Sequence, residues 1–174
     1  MIILIMGITG SGKTTIGELL AKRLEWPFAD ADDFHSAANK EKMHQGIPLT
    51  DADRGPWLAA IRAQMLHWAA ANENGVITCS ALKQSYRDFL LAADTSVPNF
   101  STQVKITYLH GTPALIASRV HERTGHFAGE SLIASQLATL EEPQHAITVD
   151  IDHPPNQIVD EIMHRLHPEA ARNT

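Results

Sequence analysis

The stretch that decides the fold lies near the amino terminus and reads Gly7-Ile8-Thr9-Gly10-Ser11-Gly12-Lys13-Thr14. It matches G-x-x-x-x-G-K-[ST], follows an apolar run typical of a buried strand, and opens a helical pattern. Its glycines allow backbone N–H groups to turn inward around phosphate oxygens, and the positive end of the following helix attracts the same anion. A glycine-rich turn that binds nothing is the weaker alternative, because strand, loop and helix occur together.

The stretch therefore predicts a P-loop that binds ATP and Mg²⁺. Lys13 is expected to reach the β- and γ-phosphates, and the Thr14 hydroxyl is expected to ligate the metal. The predicted nucleotide contacts are Gly7, Ile8, Thr9, Gly10, Ser11, Gly12, Lys13, Thr14 and Thr15.

Short apolar runs alternate with helical patterns along the rest of the chain, as in parallel α/β proteins. The predicted strands are Ile2–Met6, Pro27–Ala29, Gly75–Cys79, Val104–Leu109 and Ile147–Ile151. The predicted helices are Thr14–Leu24, Pro56–Ala71, Tyr86–Ala93, Pro113–Glu122, Ser131–Leu140 and Pro155–Leu166. The fold class is α/β, with a three-layer α/β/α P-loop domain over residues 1–174 and a parallel five-stranded sheet. The stretch at about 33–55 is expected to be an excursion from the sheet.

Composition narrows the classes of partner. The 174 residues carry a net charge of -6 with both signs spread along the chain, which argues against nucleic acid. No window reaches the roughly 18 apolar residues of a membrane span. Cys79 is the single cysteine, so an intramolecular disulfide is excluded and a small buried side chain is expected there. We expect a cytoplasmic protein with a small-molecule substrate and without membrane or nucleic-acid partners.

Acidic residues follow the second predicted strand in Asp30-Ala31-Asp32-Asp33-Phe34-His35. We predict that Asp32 accepts the proton of an attacking hydroxyl and that Asp30 acts on hydrated Mg²⁺. Solvated turn residues or helix caps are the alternative for such carboxylates. The chain is short for a motor ATPase and lacks an Asn-Lys-x-Asp segment that would read guanine. A kinase is therefore favoured over a hydrolase.

Several longer blocks make the sequence similar to the gluconate kinase family. They are Asp30-x-Asp32-x-x-His35, Asn39-x-x-Lys42-Met43-x-x-Gly46-x-Pro48-Leu49-x-Asp51-x-Asp53-Arg54-x-Pro56-Trp57-Leu58, Cys79-Ser80-Ala81-Leu82-Lys83-x-x-Tyr86-Arg87-Asp88, Gly125-His126-Phe127 and Ser135-Gln136-x-x-x-Leu140-Glu141-Glu142-Pro143. With the P-loop they span roughly residues 5 to 152. The resemblance implies ATP:gluconate 6-phosphotransfer, a nucleoside-monophosphate-kinase-like fold with a lid at about 119–130, and a homodimer. It also implies that the excursion at about 33–55 binds the substrate.

The resemblance also implies a substrate pocket. Gluconate is a carboxylate with a chain of hydroxyls, so Arg54, Lys83 and Arg87 are the candidate cations. Asn39 and Lys42 are candidates for hydrogen bonds to the polyol. His35 and His126 complete the substrate candidates, with His126 as a lid contact. For Arg87 the alternative is a surface pair with Asp88.

Two arginines four residues apart, Arg119 and Arg123, share one face of a predicted helix and precede Gly125. They are similar to lid arginines that neutralise the transferring phosphoryl group, and a solvated helix face is the alternative. The chain departs from the family pattern at Ala31, where glycine is usual, and at Ala128-Gly129, where Met-Pro or Phe-Lys is common.

Other interpretations stay open at this point. The acceptor could be idonate or shikimate, or the chain could be a nucleotide-binding switch without an acceptor. Trp57 and Trp68 lie eleven residues apart on one predicted helix and are expected to pack in the core. The ten histidines show no zinc-ligand spacing.

Overall fold

The computed structural model describes residues 1–124 and 128–166, and all their side chains except those of residues 122–131. Five strands form one parallel sheet: β1 (Ile2–Met6), β2 (Phe28–Asp30), β3 (Gly75–Thr78), β4 (Val104–His110) and β5 (Ile147–Asp150). Their order is β2-β3-β1-β4-β5, and every pairing is parallel. The predicted α/β fold is confirmed, and each predicted strand end lies within one residue of the observed end.

Helices connect the strands and cover the sheet. They are α1 (Lys13–Leu24), α2 (Ala37–His44), α3 (Asp51–Ala70), α4 (Gln84–Leu91), α5 (Phe100–Gln103), α6 (Pro113–Thr124), α7 (Ala128–Thr139) and α8 (Pro155–Leu166), with a short 3-10 turn at Ala31–Phe34. The sequence did not predict α2, α5 or the 3-10 turn. All three are shorter than the windows over which helical periodicity becomes clear.

The start of α3 corrects the prediction that this helix begins at Pro56. Thr50 caps the helix, and its hydroxyl and the Asp53 carboxylate each accept a hydrogen bond from the other's backbone N–H. Such a capping box satisfies N–H groups that have no partner within the helix. The helix therefore begins at Asp51, and Pro56 lies inside it rather than in its first turn.

Both faces of the sheet are buried, and alternate residues of β1 serve opposite faces. Ile2, Leu4 and Met6 pack against the α3 side, in the same cluster as Trp57 and Trp68. Ile3 and Ile5 face the opposite cluster, which contains residues of α1, α6 and α8. A continuous apolar run is what a parallel strand between two helical layers requires. The predicted core packing of both tryptophans is confirmed.

The parallel arrangement places the strand carboxyl ends at one edge of the sheet. β1 leads into residues 7–12, β2 leads into the 3-10 turn, and β3 leads into residues 79–83. Because β3 lies between β1 and β2, these three segments are neighbours. This edge is where ligands bind in open α/β sheets. Within the described residues, no helix is both long enough and apolar enough to cross a lipid bilayer.

Candidate active site

The loop after β1 has the backbone of an anion-binding loop. Gly10 and Gly12 have φ angles of 79° and 88°, which favour glycine, and α1 begins directly at Lys13. The buried Ser11 hydroxyl has no hydrogen-bond partner within the described part of the chain. The helix amino terminus, the loop amides and this hydroxyl can all receive phosphate oxygens.

Lys13 folds back over this loop, and its Nζ donates a hydrogen bond to the Ile8 carbonyl oxygen at 3.0 Å. Burial lowers the pKa of Lys13, while the nearby Asp32, the Cys79 thiol and Asp30 act in the opposite direction. A cation that has lost hydration interacts more strongly with an incoming phosphate. Cys79 itself is 1% exposed, so the prediction of a small buried side chain is confirmed, and burial raises the pKa of its thiol to about 12.

Thr14 and Asp30 meet although sixteen residues separate them. The Thr14 hydroxyl donates to one Asp30 carboxylate oxygen at 2.7 Å, and the other oxygen accepts the Asp32 N–H at 3.0 Å. In the described residues no group of three or more His, Cys, Asp or Glu side chains is gathered for a metal. Mg²⁺ in kinases usually keeps several waters and takes only one or two protein oxygens beside the phosphates. The Thr14–Asp30 pair fits that requirement.

Asp32 is an exposed residue of the 3-10 turn. It lies near enough to Lys13 to raise the pKa of the lysine. Within the described residues its carboxylate accepts no hydrogen bond, whereas Asp30 uses both oxygens. Of the two predicted carboxylates, Asp32 is therefore the one available to an incoming hydroxyl.

His35 stacks on Trp57, with ring centroids 4.6 Å apart and planes 6° from parallel. The Trp57 indole N–H donates to the Ala31 carbonyl at 2.7 Å, which fixes the orientation of the ring on which His35 stacks. Burial lowers the pKa of His35; Asp32 opposes this shift, and Lys40 and Arg54 add to it. The His35 Nδ1 is buried without a partner among the described residues, so the neutral ring can meet a hydroxyl.

Asn39 and Lys42 both bind Asp53. The Asn39 side-chain nitrogen donates to the Asp53 carbonyl at 2.9 Å, and Lys42 Nζ donates to the Asp53 carboxylate at 2.7 Å. Hydrogen bonds from Lys42 and Thr50 lower the pKa of Asp53 to about 2. These contacts fasten α2 to the start of α3 and give the excursion its shape. The polyol contacts of Asn39 and Lys42 stay a prediction.

Asp51 gathers donors from two segments and was not predicted as a site residue. Lys83 Nζ lies 3.0 and 2.9 Å from its two oxygens, the Tyr86 hydroxyl donates to it, and Arg54 lies 3.7 Å away. Hydrogen bonds from Tyr86 and Lys83 lower the pKa of Asp51, and Asp51 raises that of Lys83. The structure thus brings Arg54 and Lys83 together. Asp51 and Tyr86 stand in the family-like blocks quoted above, but the sequence pattern alone gave them no chemical role.

Arg87 does not form the surface pair with Asp88 that the sequence offered as an alternative. It is 1% exposed, and its guanidinium donates to the carbonyls of Ala81, Leu82 and Glu141 and to the Gln84 side chain. Arg87 is therefore not on the surface, and Asp88 accepts a hydrogen bond from the Gln84 side chain instead. These bonds hold the loop after β3, and the predicted contact of Arg87 with the substrate stays a prediction.

Arg119 lies beside the phosphate loop. Its guanidinium donates to the Ile151 carbonyl at 2.7 Å, and it lines a cavity of about 270 Å³ with Gly10, Gly12 and His153. The side chain of Arg123 and all of Gly125, His126 and Phe127 lie outside the described residues. Their predicted roles in a lid therefore stay predictions.

Gln136 is a further residue that the sequence did not assign. Its side-chain oxygen accepts the Thr9 N–H of the phosphate loop at 2.6 Å. The contact spans 127 residues, so no local pattern could have found it.

Comparison with known proteins places this geometry in a family. The shikimate kinase family model matches residues 9–167. A probable gluconokinase of Xenopus tropicalis is 43% identical over 173 residues, covering 93% of this chain and 91% of the relative.

Solved structures give the same relationship. The crystal structure of a gluconokinase from Sinorhizobium meliloti is 41% identical, covers 99% of this chain and 96% of that one, and superposes with a TM-score of 0.82. A shikimate kinase from Aquifex aeolicus covers 98% and 99% of the two chains at 17% identity and a TM-score of 0.59, which shows a shared fold. With its P-loop, its paired carboxylates and this level of identity, the chain belongs to the gluconokinase family of P-loop kinases.

Proposed function

We propose that this protein transfers the γ-phosphoryl group of ATP to the 6-hydroxyl of gluconate, in the breakdown of sugar acids. One observation carries the proposal: the phosphate loop, the Asp30–Asp32 pair and the cations Arg54 and Lys83 all meet at one sheet edge. Identities of about 40% to gluconokinases over nearly the whole chain support the same acceptor.

The residues around the phosphate loop divide the work of transfer. Lys13 neutralises charge on the β- and γ-phosphates, and the loop N–H groups with the Ser11 hydroxyl hold their oxygens. Thr14 and Asp30 would hold hydrated Mg²⁺, which screens the phosphate charge when bound. Asp32 accepts the proton of the attacking hydroxyl or orients it. The cavity lined by Gly10, Arg119 and His153 is assigned to the rest of the nucleotide.

The excursion and the loop after β3 recognise the acceptor. Arg54 and Lys83 attract a carboxylate, and Tyr86 stands beside them as a hydrogen-bonding group. The buried His35 Nδ1, which has no partner in the described part of the chain, offers a hydrogen bond to an acceptor hydroxyl. A switch that only binds nucleotide would not need these groups. Shikimate is also a hydroxylated acid, and the shikimate kinase family model matches residues 9–167. The solved shikimate kinase is only 17% identical, however, whereas the gluconokinases are about 40% identical, which supports gluconate as the acceptor.

Further parts of the proposal concern the lid, the assembly and the location. Residues 119–130 are proposed to close over both substrates, with Arg119 and Arg123 approaching the phosphoryl group. The family resemblance supports a cytoplasmic homodimer without nucleic-acid or membrane partners.

A coupled assay of ADP release tests the function. Gluconate, idonate, shikimate and glycerol are offered separately with ATP and Mg²⁺, and the product is located by phosphorus NMR. The highest kcat/KM is expected with gluconate, and the product is expected to be the 6-phosphate ester. A higher kcat/KM for shikimate than for gluconate would show that shikimate is the acceptor. ATP binding without turnover of any acceptor would favour a nucleotide-binding switch.

A further inference from the structure

The turn between β3 and α4, residues 79–84, has two residues in positions that destabilise it. Ala81 is buried and has a φ of 42°, in the left-handed region that favours glycine. Lys83 occupies the cap position of α4 and makes no side-chain cap hydrogen bond. A cation is also the wrong charge for the positive end of a helix. Glycine at position 81 and serine or aspartate at position 83 would give a more stable turn.

Arg87 supports this turn from within the protein. It donates to Ala81 O at 2.8 Å, to Leu82 O at 3.0 Å and to Glu141 O at 2.7 Å. Among the residues that the structure describes, no carboxylate forms an ion pair with it. A buried charge satisfied only by neutral oxygens is expensive, which argues that the fold retains it for the position of this turn.

Glu141 provides the cap that Lys83 cannot provide. Its carboxylate accepts the Gln84 N–H at the start of α4, and its own N–H donates to Leu82 O at 2.9 Å. The Glu141 side chain comes from the connection after α7, and the residue is exposed. An exposed carboxylate from another segment thus supplies the acceptor at the helix start that the Lys83 ammonium group, which only donates, cannot supply.

The Lys83 side chain extends to Asp51 and Tyr86. Its Nζ meets both Asp51 oxygens and lies 5.3 Å from the centre of the Tyr86 ring. Resting on the proposed function, we propose that Arg87 and Glu141 are positioning residues for Lys83. By holding the turn from both sides, they set the ammonium group where it receives the carboxylate of an acid acceptor.

The experiment measures kcat and both KM values, together with the melting temperature, for Glu141→Ala, Glu141→Gln and Arg87→Lys. Glu141→Ala and Arg87→Lys should raise the KM for gluconate about tenfold, because the ammonium group loses its fixed position. The KM for ATP should change little. Glu141→Gln retains an oxygen that can accept the Gln84 N–H, so its KM for gluconate should stay near the wild-type value.

Arg62→Lys is the matched control. Arg62 also donates to backbone carbonyls, those of Ala92 and Ala93, and pairs with Asp94, but it lies away from the turn. Its loss should lower the melting temperature without changing the KM for gluconate. A purely structural role for Arg87 and Glu141 would make their variants behave like this control and would overturn the inference.

A double-mutant cycle tests the route of action. In a Lys83→Met background, Glu141→Ala should add little to the KM for gluconate, since the group that it positions is gone. Additive effects would overturn the inference while leaving the proposed function intact. Failure of the wild-type protein to phosphorylate gluconate or any other acid acceptor would instead overturn the proposed function and remove the carboxylate on which the inference depends.

Discussion

Two glycines of the phosphate loop offer a matched pair of substitutions, Gly10→Ala and Gly12→Ala. Both residues have φ angles that alanine rarely adopts, 79° and 88°. Their surroundings differ. A methyl group at Gly10 would lie 2.5 Å from Val120 Cγ2 and 3.2 Å from Ile116 Cγ2. At Gly12 no atom of the described residues lies within 4 Å of such a methyl group. The pair therefore separates backbone strain from packing of the loop against α6.

The magnitude follows from this difference. Each substitution should cost about 1–2 kcal/mol for the left-handed backbone. Only Gly10→Ala adds overpacking against α6, which costs a further amount of about 1–3 kcal/mol. At about 2–4 °C for each kcal/mol in a chain of this size, Gly10→Ala should melt roughly 2–12 °C below Gly12→Ala.

Differential scanning calorimetry of both variants beside the wild type measures this gap, and the coupled assay reports whether the loop still binds ATP. Equal melting temperatures for the two variants would refute the packing argument. A lower melting temperature for Gly12→Ala would show that the loop meets α6 in some other way.

Four further outcomes are expected. Lys13→Ala should leave the fold intact and abolish phosphoryl transfer, because the charge over the phosphates is lost; circular dichroism and kcat test this, and an unchanged kcat would contradict it. Asp32→Asn should lower kcat about a hundredfold or more with ATP affinity unchanged; normal turnover in this variant but not in Asp30→Asn would exchange the two roles. Burial keeps the pKa of His35 below its unfolded value, so stability is present above about pH 6.5 and falls as the pH drops through and below that value. His35→Phe should therefore show a smaller fall in melting temperature between pH 7.5 and 5.5, and an equal fall would contradict the assignment. Hydrogen exchange over residues 119–130 should slow when gluconate and a non-hydrolysable ATP analogue bind together, and equal exchange in both states would argue against a lid.

The sequence alone determined the layered fold and the phosphate loop. Both depend on local patterns: continuous apolar runs for strands buried on two faces, and glycines with Lys13 at fixed spacing before a helix. These patterns are read within a few residues, so the strand positions were predicted to within one residue. The acidic pair Asp30 and Asp32 was also found, since it directly follows a strand end.

Short or capped elements were less predictable. The start of α3 depends on the reciprocal bonds of Thr50 and Asp53, and these outweighed the signal given by Pro56. The helix α2 has eight residues, too few for a clear period. In both cases the deciding interaction is a cap or a tertiary contact rather than a periodic pattern.

The tertiary structure decided which charged residues touch which partners. Arg87 follows Tyr86 on α4, and its buried guanidinium bonds both to the nearby Ala81 carbonyl and to the Glu141 carbonyl, 54 residues further along the chain. Glu141 caps α4 across 57 residues, and Asp51 meets Lys83 across 32. A motif fixes residue types and spacing along the chain, but the direction of a long side chain depends on which acceptors the folded chain brings within about 3 Å. Those distances exist only after the strands have paired and the helices have packed.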